Sequence, residues 1–201
     1  MPFEQIGEKF SLNFLILIGI SIIILTYLIS TFKKRLLIKK LKPISDAMNG
    51  KIIIKVFSNP YIKIPGYESE VRIIITSGGK DSPPSLFIKW SSPLRFNLFI
   101  TKENILTKTL QRWIKEVKVG EQSFDDEYYI RSDNQKQTAF FLKYPERREA
   151  MKYFFDNEFN YIKADKNGVT VGKILNWRKD QNPENINSYL QELRKFVLAE
   201  D

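Results

Sequence analysis

SLNFLILIGISIIILTYLISTF, residues 11–32, is the stretch that decides the architecture of this chain, because it contains no charged residue. At about 1.5 Å of rise per residue, a helix of this length spans the roughly 30 Å hydrocarbon core of a bilayer. The core helix of a soluble domain carries a polar face, which this stretch lacks. A cleaved signal peptide has positive charge before a shorter apolar region and small residues after it. Here Glu4 and Glu8 precede the run and bulky Tyr27 and Phe32 close it, so we predict a retained transmembrane helix.

A basic flank follows the span directly and sets its predicted orientation. Its members are Lys33, Lys34, Arg35, Lys39, Lys40 and Lys42. Positive flanks stay on the cytoplasmic side, which predicts a single-pass protein of the cell (inner) membrane. Residues 1–10 then form a short extracytoplasmic N-terminus and the C-terminal domain is cytoplasmic. Residues 33–50 are predicted to form a basic juxtamembrane linker helix that ends or restarts at Pro43, with three leucines on the membrane interface, Leu36, Leu37 and Leu41.

The charge distribution favours lipid over nucleic acid as a partner. The chain has a net charge of +9, and its first 42 residues carry seven basic and two acidic side chains, a net charge of +5. The remaining residues carry a net charge of only +4, which is weak evidence for nucleic-acid binding. We therefore predict that the six basic residues of the flank contact anionic lipid headgroups.

The chain contains no cysteine and no histidine. Disulfides, thiolate nucleophiles, Cys/His zinc sites and histidine-based catalysis are therefore excluded. The sequence implies no cofactor, although enzymes that use carboxylates, Lys, Ser, Thr or Tyr stay possible.

Residues 51–201 are predicted to form one α+β domain with a mainly antiparallel sheet, middle helices and a C-terminal helix. Short runs rich in Ile, Val and Phe, separated by turn residues, predict a meander of strands at 51–57, 71–76, 85–90 and 95–101. Further strands are predicted at 128–131, 159–164 and 169–175, the last two joined by a hairpin at Asn167-Gly168.

Helices are predicted where apolar residues recur at three- and four-residue steps. The first begins near Lys102 and uses Leu106, Leu110, Trp113, Ile114 and Val117. A capping box at Ser132–Gln135 is predicted to open a second helix that reaches about Leu142. Pro145 begins a third helix, and Asn182-Pro183 begins a C-terminal one whose buried face is Ile186, Tyr189, Leu190, Leu193, Phe196 and Val197.

The string Ser77-Gly78-Gly79-Lys80-Asp81-Ser82 resembles the pyrophosphate-binding loop of the ATP pyrophosphatase (PP-loop) enzymes. In that family a strand leads through the loop into a long helix whose N-terminus holds the phosphates. Here Pro83-Pro84 and a β-like run follow, so a hairpin loop is the main prediction. The alternative is a membrane-anchored nucleotide-using enzyme.

Three adjacent carboxylates, Asp125, Asp126 and Glu127, are a candidate site for Mg²⁺ or Mn²⁺, which accept oxygen ligands. Neighbouring residues of an extended segment point to opposite faces, so these side chains are not expected to converge without help from the fold. Solvation or pairing with nearby arginines is the competing interpretation, and whether a metal binds stays open.

The same region resembles the cytosolic domains of uncharacterised bacterial membrane-anchored proteins with an "FD-x-x-F-x-V-x-S-x-D" pattern. The matching positions are Gly120, Phe124, Asp125, Tyr128, Ile130, Ser132 and Asp133, and the likeness extends over residues 115–175. Glu121 departs from the pattern, where Asp is usual. The resemblance implies an architecture and no activity: Phe124 as a core anchor, and Asp125, Ser132 and Asp133 as caps that accept backbone N–H bonds.

The sequence therefore predicts a membrane-tethered cytoplasmic domain that binds a protein partner or the membrane surface. The span confines the domain to the bilayer, and the basic flank holds it near anionic lipids. No substrate or partner is identified.

Overall fold

The computed structural model describes residues 3–55, 58–79, 81–103 and 116–198, with side chains described from residue 14 onward. The helices are α1 (Phe3–Ala47), α2 (Gln122–Glu127), α3 (Gln135–Phe141), α4 (Pro145–Asp156), α5 (Trp177–Asp180) and α6 (Pro183–Leu198). The strands are β1 (Lys51–Ile53), β2 (Tyr61–Ile64), β3 (Val71–Thr76), β4 (Ser85–Trp90), β5 (Leu98–Lys102), β6 (Tyr128–Ser132), β7 (Phe159–Asp165) and β8 (Gly168–Ile174). The N-terminal helix, the sheet and the C-terminal helix confirm the predicted α+β class.

All eight strands form one antiparallel sheet, in the order β1-β2-β3-β4-β8-β7-β5-β6. One fully buried β-branched residue from each of seven adjacent strands lies in register across its inner face: Ile62, Ile73, Ile88, Val171, Ile162, Ile100 and Ile130. This row supports the helices α1, α4 and α6, which pack on the sheet and on one another. Burial of such side chains is the main favourable term for this fold.

The predicted strands over 71–76 and 85–90 are confirmed as β3 and β4. Strand β2 was not predicted. It has only four residues, between Pro60 and Pro65, and is therefore short for recognition by its pattern of apolar residues. The strand expected over 95–101 begins only at Leu98. The strand predicted over 51–57 ends at Ile53. Residues 56–57 of that prediction lie outside the described ones.

The C-terminal helix is confirmed, including its buried face. The Asn182 side chain accepts a hydrogen bond from the Glu184 N–H at 2.9 Å and so begins this helix. The predicted hairpin is confirmed as well: Asp165 pairs with Gly168 across a two-residue turn. Gly168 has a φ of +113°, and its α-carbon lies so close to the Trp90 carbonyl that a Cβ atom has no room.

The predicted capping box at Ser132–Gln135 was wrong, and the helix predicted after Lys102 is tested only at its two ends. The helix after Ser132 begins at Gln135 with Asn134 as its N-cap, whose side chain accepts from the Gln137 N–H. Ser132 is instead the last residue of β6, because strand pairing with Leu98 extends that far. Residues 104–115 of the predicted helix after Lys102 lie outside the described ones, and Val117 is extended, since its N–H donates to the Ile130 carbonyl at 2.9 Å.

Helix α1 is long and apolar enough to cross a membrane, with a mean hydropathy of 2.5 and no buried residue in its most apolar window. It continues through Pro43 to Ala47, although a break was predicted there. Leu41 and Ile44 are fully buried on either side of Pro43, and this packing offsets the hydrogen bond that proline removes. Leu37 and Leu41 therefore lie in the core of the domain, which corrects their predicted place on the membrane interface; only Leu36 is exposed.

Candidate functional site

The predicted phosphate loop connects two antiparallel strands. Thr76 at the end of β3 pairs with Ser85 at the start of β4, and the Gly79 N–H donates to the Ser82 carbonyl at 2.8 Å. Gly78 has a φ of +72° and packs against the backbone of residues 82–84. Over the described residues 71–79 and 81–90 no helix follows the loop, and Lys80 lies outside them. The strand–helix layout of a PP-loop is therefore absent from this segment, whereas the hairpin interpretation fits it.

The three carboxylates at 125–127 lie on the short helix α2 and not in an extended segment. Asp125 is buried, whereas Asp126 and Glu127 are exposed. Within the described part of the chain, no group of three such side chains converges as metal ligands. The three carboxylates therefore do not converge, because the Asp125 carboxylate accepts hydrogen bonds from backbone N–H groups.

Asp125 closes the turn before α2 with both carboxylate oxygens. One accepts from the Val119 N–H at 2.8 Å and the other from the Gly120 N–H at 2.9 Å. Gly120 has a φ of +95°, which bends the backbone so that both N–H groups point to the same carboxylate. Phe124 is buried beside the ring of Tyr128, at a centroid distance of 5.1 Å. This part of the family-like motif holds the fold together.

Ser132 and Asp133 connect β6 to its neighbours in the same way. Asp133 accepts a hydrogen bond from the Asn97 N–H at 2.8 Å, just before β5 begins. The Ser132 hydroxyl accepts from the Asn134 N–H and from the Thr138 hydroxyl, at 3.1 and 2.7 Å. These contacts are structural, and neither side chain lines a catalytic cluster among the described residues.

The basic flank has two environments. Lys33, Arg35, Lys39 and Lys42 are exposed on α1. Lys34 is half-buried, with its ammonium group 3.5 Å from the Lys55 carbonyl. The Lys40 ammonium lies 3.7 Å from the centre of the Trp177 ring, a cation–π contact that sequence reasoning did not include. The flank therefore both carries charge and attaches α1 to the domain.

A groove of about 320 Å³ lies where α1 meets the domain. One helix face forms its wall, at the three- and four-residue spacing of Thr26, Ile29, Ser30, Lys33, Lys34 and Leu37. Asn59 from the β1–β2 connection and Ser77 from the β3–β4 loop complete it. The structure thus brings the first residue of the SGGKDS string against the basic flank, which local sequence patterns did not indicate.

A buried ion pair is the main feature that sequence reasoning missed. The Lys173 ammonium lies 3.1 Å from the Asp180 carboxylate, and both side chains are completely buried. Lys173 also donates to the Asn157 carbonyl at 2.8 Å, and Asp180 accepts from the Asn176 N–H and the Tyr189 hydroxyl. Burial, followed by the nearby Asp180 charge, raises the pKa of Tyr189, so this hydroxyl stays protonated and donates.

The sequence did contain one signal for this pair. Val169, Val171 and Lys173 alternate along β8, so the period of two places Lys173 on the core side. Its partner follows seven residues later on a separate short helix, which no local pattern links to it.

The sheet face opposite the core row carries a second, more exposed set of apolar side chains. We call these residues the open-face cluster: Ile74, Phe87, Phe99 and Tyr161. The rings of Phe99 and Tyr161 stack at 5.9 Å, and the Tyr161 ring lies over Gly172, where any Cβ would clash with it. Phe99 is 37% exposed. None of the helices α1, α4 and α6 packs its buried face on this cluster.

No protein-family model, curated protein or solved structure matches this chain. Fold and geometry define the class on their own: an α+β domain on one long N-terminal helix that is apolar enough to cross a membrane.

Proposed function

We propose that this chain is a single-pass protein of the cell (inner) membrane whose cytoplasmic domain binds the membrane surface. Residues 11–32 cross the bilayer with the N-terminus outside, and the basic flank lies among anionic headgroups on the inner side. The anchor also fixes how the domain faces the bilayer.

The observation that carries this proposal is the continuity of α1. The same helix that exposes a charge-free apolar span enters the domain core through Leu37, Leu41 and Ile44. A flexible linker leaves a tethered domain free to rotate, whereas a helix packed into the core does not. The domain therefore has one preferred orientation on the bilayer.

In that orientation, the ends of several strands and the loop between β3 and β4 face the bilayer. Chain direction reverses after α1, so the end of β3 and the start of β4 point back toward the span. The groove contacts of Asn59 and Ser77 with the α1 face from Thr26 to Leu37 support this arrangement. Exposed Ile54 lies in the β1–β2 connection close to Lys55, which approaches Lys34.

The topology is tested with single-cysteine variants, because the natural chain has no cysteine. A cysteine in place of partly exposed Lys179 is expected to resist a membrane-impermeant maleimide in intact cells and to react after lysis. The full-length chain is expected in the membrane fraction after carbonate extraction. Labelling of Lys179→Cys in intact cells contradicts the orientation, and a shortened soluble chain indicates a cleaved signal sequence.

A second candidate function, binding of a protein partner, is favoured by the open-face cluster. Aromatic side chains that stay half-exposed are typical of the centres of protein interfaces. A photo-crosslinking amino acid at Phe99 is expected to give a discrete product in membranes, whereas the same group at exposed Lys152 on α4 is the control. Equal or no product at both positions contradicts partner binding on this face.

A further inference from the structure

We propose that the groove between α1 and the β1–β2 and β3–β4 connections binds one anionic phospholipid, with its phosphate beside Lys33 and Lys34. This inference rests on the proposed function, since it requires α1 to cross the bilayer. It goes further by assigning a defined lipid site, in contrast to general attraction between a basic segment and a charged surface.

The chemistry of the lining fits a phosphate. Lys33, Lys34 and Ser30 lie on the helix face that lines the groove. Asn59 and Ser77 line it from the domain side, and none of the described lining residues is acidic. Phosphate oxygens accept hydrogen bonds from such donors, and the charged donors form the stronger bonds.

The position of the groove selects a lipid over a soluble phosphate. Its lower wall, Thr26 and Ile29, belongs to the stretch predicted to cross the bilayer, whereas Lys33 and Lys34 lie just beyond that stretch. An occupant must therefore be apolar along Ile29 and anionic one helical turn further on. A phospholipid has both parts in that order at the depth where acyl chains meet headgroups.

The domain keeps the groove in place. Leu37 closes it on the domain side and is buried in the core. The β3–β4 loop is held by the hydrogen bond from Gly79 to Ser82 and by the left-handed backbone of Gly78. Leu37 and the backbone beside Ser77 are therefore held by contacts that do not involve a lipid.

The flank itself contains a matched control. Lys39 and Lys42 carry the same charge on the same helix and are exposed, but they do not line the groove. A Lys33→Gln/Lys34→Gln variant and a Lys39→Gln/Lys42→Gln variant lose equal charge, so only a defined site distinguishes them.

The test is native mass spectrometry of the full chain in detergent with equimolar phosphatidylglycerol and phosphatidylcholine of the same acyl chains. The natural chain is expected to retain one phosphatidylglycerol in preference to phosphatidylcholine. Lys33→Gln/Lys34→Gln is expected to reduce that preference about tenfold or more, because it removes both charged phosphate donors from the groove. Lys39→Gln/Lys42→Gln is expected to change it by less than about twofold.

Two further arms complete the experiment. Asn59→Leu, which changes the groove without changing charge, is expected to reduce the preference as well. Soluble glycerol phosphate in excess is expected to leave the retained lipid in place; displacement by it overturns the assignment to a lipid. Equal losses in both lysine variants, or no loss in either, overturn the defined site.

The two proposals fail in different ways. A natural chain that is released by carbonate extraction contradicts the membrane anchor itself. A chain that stays in the membrane but shows no preference for phosphatidylglycerol contradicts only the lipid site.

Discussion

At the scale of single residues, three aspartate side chains hold the connections of this domain. Asp125 accepts two backbone N–H groups before α2, Asp133 links β6 to the residue before β5, and Asp165 closes the β7–β8 hairpin. Each replaces backbone hydrogen bonds that a turn leaves unmade. These three aspartates therefore have structural partners.

Replacement of Asp125 by Ala is expected to lower the free energy of unfolding by about 2–3 kcal/mol, because two part-buried backbone N–H groups lose a charged acceptor. Denaturant unfolding of the full chain in detergent measures this change. Asp126→Ala is the control: its exposed side chain is expected to change stability by less than about 0.5 kcal/mol. Equal effects of the two variants contradict the role of Asp125.

The pH dependence of stability is expected to include Asp165. The hydrogen bond from the Asn167 N–H, followed by the contact with Lys163, lowers the pKa of this carboxyl below its ordinary value in the folded chain. Its contribution is therefore present above the unfolded pKa and is lost as the pH falls through the folded one.

Unfolding of the natural chain and of Asp165→Asn between pH 6 and pH 2.5 checks this sign. The stability difference between them is expected to shrink as the pH falls, because only the natural chain loses a charge. Parallel pH curves contradict the assignment.

At the scale of elements, α1 combines two environments in one helix. From Phe14 to Phe32 it exposes apolar side chains on all sides, and its C-terminal turns have one buried face made by Leu37, Leu41 and Ile44. The change occurs within the basic flank, at residues 33–37. The element predicted as a linker is thus a structural part of the domain, and truncation at residue 50 removes three core side chains.

Leu41→Ala is expected to destabilise the domain by about 2–5 kcal/mol, the range for truncation of a buried leucine. Leu36→Ala on the same helix is the matched control, because Leu36 is 47% exposed. Thermal unfolding followed by far-ultraviolet circular dichroism distinguishes them. A domain that is equally stable with either variant contradicts the packing of α1 into the core.

At the scale of the whole molecule, the Lys173–Asp180 pair joins distant parts of the fold. Lys173 lies on β8, Asp180 on α5, the Tyr189 donor on α6 and the Asn157 acceptor just after α4. Two ions in a completely buried place are stabilising only when every polar atom has a partner. The pair therefore ties the central sheet to the C-terminal helices and specifies how they meet.

A double-mutant cycle tests this connection. Lys173→Met and Asp180→Asn are each expected to cost about 3–5 kcal/mol, because each removes the buried partner of the other charge. The exposed carboxylate of Glu158 stays 3.9 Å from the Lys173 ammonium and does not replace the buried partner. The double variant is expected to cost clearly less than the sum, since no buried charge then lacks a counter-ion. Urea unfolding measures all three, and additive losses contradict coupling between the two residues.

The sequence by itself determined the features that depend on neighbouring residues. The charge-free span, the bounds of β3 and β4, the β7–β8 hairpin and the buried face of α6 all follow from local spacing and turn residues. The N-cap of α3 was predicted two residues too early, and the short helix α2 around Asp125 was not predicted, because strand pairing and side-chain contacts with the backbone outweighed the local signal.

Only the tertiary structure decided what depends on distant residues. The pairing of β4 with β8, the burial of Leu41, the partner of Lys173 and the groove beside Lys33 each join segments far apart in the chain. The hydrophobic effect is non-directional. A run of apolar residues therefore indicates that these side chains will be buried, but it does not indicate which element will bury them. The same leucines therefore suit a lipid surface or a protein core, and the β-sheet is what placed them in the core.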